Sequence, residues 1–407
     1  MANGPSHPLP ILPAPTPRQR LTARVRATAA ANGLALAAVA TAEPFSALVP
    51  LLLARLAAGR LDGFDWFTPE RAIESADPRT IHPDPVSILS VGLAYHVPDP
   101  GKPDDGVPRG RIARYARGAD YHRLLRQRMD AFVEDLARQL GRDIVSRRVT
   151  DTARIVDRAV AARAGLGWYG KNACIIVPGH GSWVLLGEIL LDLDLEPDPP
   201  LDRNCGRCSI CIDACPTGAI VAPYEIDAPR CLSFQTIEQR GPIPRHLRPL
   251  LGDWVFGCDV CQDVCPYCHA AAASGPADPR FAPRAPENAY PSLPWLLTMT
   301  EEQFRATWRG TPVIRAKRRG LARNAAVALA AALAGPDEAL VRLHAAWALG
   351  RFGGRQARAA LYRARANDPD ADVRAEAALA LDEDRSATGG PARTGSAPAT
   401  GAARRRG

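Results

Sequence analysis

Eight cysteines in a short stretch of this chain constrain its fold more than any other feature. A first run, Cys-x2-Cys-x2-Cys-x3-Cys-Pro, extends from Cys205 to Cys215, and a second, from Cys258 to Cys265, has the same spacing but lacks one cysteine. Cys231 lies between the runs and can supply the missing thiol. Three thiolates of such a run bind one 4Fe-4S cube, and the fourth, which precedes proline, binds the other. The spacing therefore predicts two 4Fe-4S clusters.

This rule divides the eight thiols into two sets. The first cluster is predicted to be bound by Cys205, Cys208, Cys211 and Cys265. The second is predicted to be bound by Cys215, Cys231, Cys258 and Cys261. Two zinc sites are the alternative, because Cys-x2-Cys pairs also bind zinc. A disulfide framework is less favoured, since the chain is long and no secretory signal is recognisable.

Two further cysteines remain outside these sets. Cys174 lies in an apolar run and is expected to belong to the core. Cys268 is expected to be an exposed free thiol or an alternative cluster ligand.

The composition limits the class of protein. The 407 residues are enough for two or three domains, and 46% of them are apolar. Since no run of 18 apolar residues occurs, we expect no membrane partner, and the reduced cysteines favour a cytoplasmic location. The formal net charge of +8 is consistent with a polyanionic partner, although solubility alone could account for it.

Hydrophobic periodicity predicts mixed structure in the first 200 residues. Helices are predicted over 17–32, 120–140 and 155–164. Strands are predicted over 34–40, 86–95, 174–177 and 183–192, the last two as a hairpin around Gly179 and Gly181. The acidic, proline-containing segment 193–203 is predicted to be a linker. This pattern indicates one α/β or α+β domain ahead of the cysteine runs.

The C-terminal region contains an internal repeat. Residues 321–329, 341–349 and 373–381 share Ala-Ala-x-Ala-Leu, and the last two also share Val-Arg at the same offset. A repeat of this length is typical of helical solenoids such as HEAT arrays. The alternative is that alanine-rich helices resemble one another by composition alone.

A basic stripe lies at the start of these repeats. No Asp or Glu occurs between Gln303 and Pro336. The stripe carries Arg315, Lys317, Arg318, Arg319 and Arg323. Such a cluster can bind phosphates, whereas a solvated surface is the plainer interpretation.

A glycine-rich loop precedes the cysteine runs. Three glycines within residues 165–170 permit close backbone approach to a ligand, and Trp168, Lys171 and Asn172 add an aromatic surface and polar contacts. The spacing matches neither a dinucleotide-binding nor a P-loop motif. Asp151, upstream of this loop, is either a helix N-cap or a catalytic acid, and the second role requires a carboxyl that is protonated near neutral pH.

These features together resemble the epoxyqueuosine reductase family. The matching segments are 113–126 (ARYARGADYHRLLR), the Asp151 and glycine-rich loops, 205–220, 230–238 and 257–266, in family order over roughly residues 20–350. The sequence departs from the family pattern at Arg154, where proline is usual, at Asp157, where Glu is usual, and at Tyr267-Cys268, where Trp-Asn is usual. These departures affect the expected substrate contacts more than the expected reaction.

The resemblance implies an α+β multidomain fold. It implies a disordered N-terminus (1–16), a cobalamin-binding α/β domain related to reductive dehalogenases (17–195), a ferredoxin-like domain with two 4Fe-4S clusters (196–285), HEAT-like helical repeats (286–383) and a disordered tail (384–407).

It also implies the chemistry. The clusters would supply electrons to cobalamin, which would reduce epoxyqueuosine to queuosine in tRNA, with Asp151 as proton donor. The residues expected around cobalamin are Arg114, Asp151, Lys171, Asn172, Ser233, Asp259 and Gln262. The basic stripe would bind the anticodon arm of a monomeric enzyme that takes electrons from an unidentified donor.

Two other functions remain open from the sequence. One is a cobalamin-dependent reductase of a small molecule, which the basic helical repeat disfavours. The other is an iron-sulfur electron-transfer protein, a function that would not require the glycine-rich loop.

Overall fold

The computed structural model describes residues 14–271, 277–334 and 339–388. Its strands are β1 (Leu36–Thr41), β2 (Ser87–Ala94), β3 (Arg111–Ile112), β4 (Ser146–Val149), β5 (Trp168–Tyr169), β6 (Ile175–Ile176), β7 (Val184–Leu191), β8 (Ile220–Ala222), β9 (Glu225–Ile226) and β10 (Trp254–Phe256).

The helices of the first half are α1 (Pro17–Ala31), α2 (Val49–Ala57), α3 (Pro69–Ser75), α4 (Tyr121–Leu140), α5 (Asp157–Arg163), α6 (Ile210–Asp213), α7 (Leu232–Ile237) and α8 (Val260–Asp263). Those of the second half are α9 (Pro266–Ala271), α10 (Pro286–Ala289), α11 (Leu293–Thr298), α12 (Glu301–Trp308), α13 (Lys317–Ala334), α14 (Ala339–Phe352), α15 (Gly354–Asn367) and α16 (Ala371–Thr388). Short 3-10 helices cover Ser46–Leu48, Pro78–Thr80, Arg114–Ala116, Ala228–Arg230, Arg248–Leu251, Pro279–Phe281 and Pro312–Ala316.

A four-stranded antiparallel sheet, in the order β1-β2-β7-β4, is the centre of the N-terminal region. Successive side chains of a strand point to opposite faces, so β2 and β7 bury both faces. Leu89 and Ile189 pack with α1 and α4 on one side, whereas Ile88 and Leu190 pack with α5 on the other. The predicted mixture of helices and strands is confirmed, and the antiparallel sheet is typical of α+β folds.

Helix α4 places two side chains of the candidate site. Asp120 is its N-cap and accepts a hydrogen bond from the backbone NH of His122. The helix ends at Gly141, whose φ of 67° is left-handed. Tyr121 and His122 therefore lie in a fixed first turn, and the helix predicted over 120–140 is confirmed.

The hairpin predicted for 174–177 and 183–192 is wrong. The turn forms, because Gly179 and Gly181 have positive φ and Val177 bridges Gly181. Beyond it, however, β6 pairs with β5, and β7 enters the central sheet between β2 and β4. In that sheet both faces of β7 are covered, because Ile189 and Leu191 pack on one side and Leu190 packs on the other.

The chain divides into two compact units, one of residues 1–105 and 109–328 and one of residues 106–108 and 329–407. The start of α13 belongs to the first unit because Asn324 donates hydrogen bonds to the backbone oxygens of Thr236 and Val255. Val327 packs in the same apolar cluster as Leu232.

The second unit consists of packed helices. Helices α14, α15 and α16 contact one another, and Gly350 lies so close to Ala380 that an added Cβ would be 2.5 Å from the Cβ of Ala380. The tail predicted to be disordered from 384 is helical to Thr388, because α16 continues to that residue. Residues 389–407, like 1–13 at the other end, lie outside the described residues.

Candidate active site and cluster-binding segment

The thiols assigned to the first cluster lie around one cavity. That cavity is lined by Cys205, Cys208, Cys211 and Cys265 together with Lys171, Asn172, Ile176, Ile210, Pro266 and Tyr267. Burial raises the pKa of the Cys211 thiol to about 11, and the charges of the other three thiols add to the effect. The structure thus brings together the four side chains that spacing had grouped.

The thiols assigned to the second cluster also lie close together. Burial raises the pKa of Cys258 to about 12, with further contributions from Cys231 and Cys215. Cys261 is affected in the same direction, first by burial and then by neighbouring thiols that include Cys258 and Cys231. Such pKa values favour neutral thiols in the free protein, and bound iron would be needed to hold them as thiolates.

Cys174 and Cys268 are the two cysteines outside the cluster sets, and the structure contradicts the exposure predicted for Cys268. Cys174 is partly buried beside the second set, where its charge raises the pKa of Cys261. Cys268 is 1% exposed, so the prediction of an exposed thiol is wrong. Its Sγ lies 3.3 Å from the backbone N and 3.2 Å from the Oγ of Ser182, in a tight contact where Gly181 leaves no room for a Cβ.

The glycine-rich loop is anchored to the cysteine runs. Lys171 Nζ donates to the backbone oxygen of Gly206 at 2.7 Å, and Asn172 Nδ2 donates to that of Cys261 at 3.4 Å. Gly165, with φ of 68°, leaves only 2.2 Å between a Cβ and the backbone oxygen of Pro199. Lys171 and Asn172 therefore contact the cluster-binding segment, which comprises residues 205–265. Their expected role at cobalamin stays a prediction.

Of the other residues expected at cobalamin, two are engaged within the protein. Asp259 is 1% exposed and accepts from the backbone NH of Arg114, and burial raises its pKa to about 6. Gln262 bonds to Tyr95 and Ser182. Arg114 is engaged in part: its Nη1 lies 3.7 Å from Asp99 Oδ2 and 3.6 Å from Asp263 Oδ1, whereas its buried Nε has no hydrogen-bond partner among the described residues.

Asp151 lies in a strained backbone position with two hydrogen-bond donors. Its φ is 29°, which side chains other than glycine rarely adopt. Oδ2 accepts a short hydrogen bond from the Tyr121 hydroxyl and lies 3.2 Å from His122 Nε2. The N-cap interpretation is wrong, because α5 begins six residues later and its N-cap is Val156. The carboxylate is 50% exposed and can reach a ligand.

The electrostatics of this site oppose the simplest acid role. Although burial acts in the opposite direction, the hydrogen bonds from His122 and Tyr121 hold the pKa of Asp151 below its ordinary value. The pKa of His122 is raised to about 9, despite its burial, by the carboxylates of Asp120 and Asp151. At neutral pH Asp151 is therefore an anion beside a protonated His122.

The sequence did not single out three residues of this site. His122 Nδ1 lies 2.8 Å from Asp120 Oδ1, so its imidazole is bounded by two carboxylates. The Tyr121 ring stacks on that imidazole with centroids 4.0 Å apart. The only available signal was the Asp-Tyr-His sequence at the start of a predicted helix, since nothing local links it to Asp151.

The basic stripe divides into half-buried and exposed members. Arg323 donates to the backbone oxygens of Gln235, Gln239 and Gly241, so it stabilises the fold. Arg318 approaches Met299 O at 3.4 Å and Glu301 at 3.9 Å.

The other members lie closer to the surface. Arg315 forms an ion pair with Glu238, and the charge of Asp151 contributes to its raised pKa, which places it near the carboxylate site. Lys317 and Arg319 are exposed.

Three family models match the chain. Residues 76–152 match "Epoxyqueuosine reductase QueG, DUF1730", residues 204–268 match a 4Fe-4S double cluster binding domain, and residues 315–382 match HEAT repeats. The predictions of two 4Fe-4S clusters and of a HEAT-type array are confirmed, and the zinc alternative is wrong.

No helix within the described ranges is long and apolar enough to cross a membrane.

Curated relatives and solved structures agree with these matches. The epoxyqueuosine reductase of Xanthomonas campestris pv. campestris is 38% identical over 313 residues, which cover 73% of this chain and 87% of that protein. That of Bacillus subtilis is 35% identical over 334 residues, covering 77% and 83%. A crystal structure of epoxyqueuosine reductase with an epoxyqueuosine-modified tRNA-Tyr stem loop has a TM-score of 0.72 at 31% identity, covering 90% of this chain and 99% of that one. This chain therefore belongs to the epoxyqueuosine reductase family.

Proposed function

We propose that this protein reduces epoxyqueuosine to queuosine at the wobble position of tRNA. The similarity to a reductase solved with an epoxyqueuosine-modified stem loop carries the proposal. The structure supports it with a half-exposed carboxylate, Asp151, in the same compact unit as the eight thiols. The reaction consumes two electrons and two protons, and the epoxide oxygen leaves as water.

The eight thiols would hold the two clusters in the sets described above. The thiols of each set lie close together, and all except the buried Cys265 are half-buried. The amide of Ala219 donates to Cys215 Sγ at 3.2 Å, a contact that would stabilise thiolate charge.

Cobalamin is the third cofactor of the proposal. Arg114 fits a polar ligand, because its buried Nε has no partner in the described part of the chain. Ser233, which is partly exposed beside Cys231, and Asp151 would complete the contacts. When bound, cobalamin supplies a metal centre that accepts electrons singly and acts as a strong nucleophile.

Asp151 would deliver a proton to the departing epoxide oxygen. Tyr121 and His122 hold Oδ2, which fixes the orientation of the carboxyl group. Removing charge from the leaving oxygen in this way lowers the barrier to C–O cleavage.

The exposed cations Lys317 and Arg319, with Arg315, would bind phosphates of the anticodon arm. A net charge of +8 would favour this encounter. We also propose that the enzyme acts as a monomer in the cytoplasm and receives its electrons from a separate donor, whose identity we leave unspecified.

The test uses purified protein reconstituted with iron, sulfide and cobalamin, a chemical reductant, and tRNA that carries epoxyqueuosine. We expect nucleoside digestion and mass spectrometry to show queuosine, formed with loss of one oxygen. If loaded protein leaves epoxyqueuosine unchanged while reducing a small organohalide or epoxide, the small-molecule function replaces the proposed one.

A further inference from the structure

Asp151 needs a source for the proton it delivers. Two donors share its Oδ2, and their hydrogen bonds favour the ionised carboxyl group. An ionised Asp151 can accept a proton but has none to give. The proton must therefore reside on a neighbour that is charged at neutral pH and touches the same oxygen.

His122 occupies that place. Nε2 lies 3.2 Å from Asp151 Oδ2, and Nδ1 lies 2.8 Å from Asp120 Oδ1. An imidazole between two carboxylates donates both N–H groups only when it is protonated. The Tyr121 ring covers one face of the imidazole, so the ring plane is fixed.

The surrounding groups support a protonated imidazole. The charged and titratable groups around the site come from several elements: Tyr121 on α4 with its N-cap Asp120, Arg123 beside Asp120, Tyr115 on the preceding turn, Asp151 on its loop, Asp157 and Arg158 on α5, Glu188 on β7, and Arg315 with its partner Glu238. Because the charge of Arg315 is paired with that of Glu238, the two carboxylates in contact with His122 have the largest electrostatic effect on its imidazole. Their charges account for the raised pKa of His122.

Other buried acids do not serve this purpose. Burial raises the pKa of Tyr121, so its hydroxyl keeps its proton and only orients Asp151. Glu188 on β7 is 0% exposed and is favoured as the neutral acid, but neither of its oxygens has a hydrogen-bond partner in the described part of the chain. No hydrogen bond joins Glu188 to Asp151 in the described part of the chain, so the two carboxyl groups act on each other only through charge.

We propose that His122 supplies the proton that Asp151 delivers, and so acts on the substrate through Asp151 as a positioning and proton-supplying residue. The inference rests on the proposed function. In the step, the Nε2–H bond of His122 breaks and an O–H bond forms at Asp151 Oδ2. The carboxyl group then transfers this proton to the epoxide oxygen as the C–O bond breaks. Solvent reprotonates the imidazole.

The test compares single-turnover rates of the reconstituted wild type and His122→Gln across pH. Glutamine can still donate one hydrogen bond to Asp151 but cannot hold an exchangeable cationic proton. We expect the wild-type rate to fall as pH rises through about 9, where His122 loses its proton. The His122→Gln rate should be about 100-fold lower at pH 7.5, without that alkaline limb. The KM for tRNA should be unchanged.

Two further variants separate chemistry from folding. Asp120→Asn removes one of the two carboxylates that raise the pKa of His122, so the alkaline limb should move to lower pH. His122→Gly should regain activity with added imidazole, and iron content and tRNA binding report on the fold of each variant. Equal rates and equal alkaline limbs in wild type and His122→Gln would overturn the inference but leave the proposed function intact. A wild type unable to reduce epoxyqueuosine would instead overturn the proposed function.

Discussion

The cluster-binding segment and the Asp151 site differ in which ionisation states their surroundings favour. Between Cys205 and Cys265, thiols lie together, and burial disfavours the ionised forms of Cys211, Cys258 and Cys261. Around Asp151, the cationic His122 lies between two carboxylates, and ionisation is favoured. The first arrangement needs bound iron to balance its thiolates, whereas the second is complete without a ligand. Loss of iron should therefore damage the first region and leave the second intact.

The largest effect should follow from removing a cluster ligand. Cys258→Ala leaves the second set with three thiols, so we expect about half of the iron to be lost and the reductase rate to fall more than about 1,000-fold, because electron delivery is interrupted. Iron and sulfide analysis with turnover assays measures both.

Cys174→Ala is the matched control. This thiol lies near the same set but is not assigned to it, so full iron content is expected. Loss of iron in Cys174→Ala together with full loading of Cys258→Ala would reverse the assignment.

Asp151→Asn tests the other region. Asparagine cannot carry the proton, so the single-turnover rate should fall roughly 100- to 10,000-fold. Because the described hydrogen bonds of the Asp151 carboxylate go to Tyr121 and His122 and not to a cluster thiol, we expect iron content and the visible absorption of the clusters to match the wild type. A variant that retains the wild-type rate would remove Asp151 from proton delivery.

The sequence predicted the two regions unequally, for a physical reason. Cluster ligands lie within a few residues of one another, so spacing alone groups Cys205, Cys208 and Cys211. The partners of Asp151 lie about 30 residues earlier, at Tyr121 and His122, and no local pattern encodes that contact. The helices over 17–32, 120–140 and 155–164 were predictable because their periodicity is local.

Long-range competition explains the other failures. The segment after Gly181 has strand character, but whether it pairs with β6 or with β2 and β4 depends on which sheet can bury both faces. From the sequence, Arg323 and Arg319 were both predicted to bind phosphate as members of the basic stripe. Only the fold shows that carbonyl groups of residues 235–241 surround Arg323.

The two arginines give a prediction of intermediate size. Arg323→Ala removes the donors to three backbone oxygens, so the free energy of unfolding should fall by about 2–3 kcal/mol. Denaturant unfolding followed by tryptophan fluorescence measures the change.

Arg319→Ala is the exposed counterpart. It should leave the free energy of unfolding within about 0.5 kcal/mol of that of the wild type. The slope of the logarithm of the tRNA affinity against the logarithm of the salt concentration should fall in magnitude by about one, as expected when one phosphate contact is lost. Equal destabilisation by both substitutions would contradict the structural role assigned to Arg323.

The smallest effect concerns the pH dependence of stability at the Asp151 site. The pKa of His122 rises from 6.5 to about 9 on folding, so its contribution is complete below pH 6.5 and is lost as pH rises through 9. Allowing for partial exposure, this contribution is about 2 kcal/mol. The free energy of unfolding should therefore fall more between pH 6.5 and 9.5 in the wild type than in His122→Gln. Because the site needs no ligand, the same difference is expected after iron is removed, provided the chain stays folded. A difference that disappears with the iron would show that the two regions are coupled.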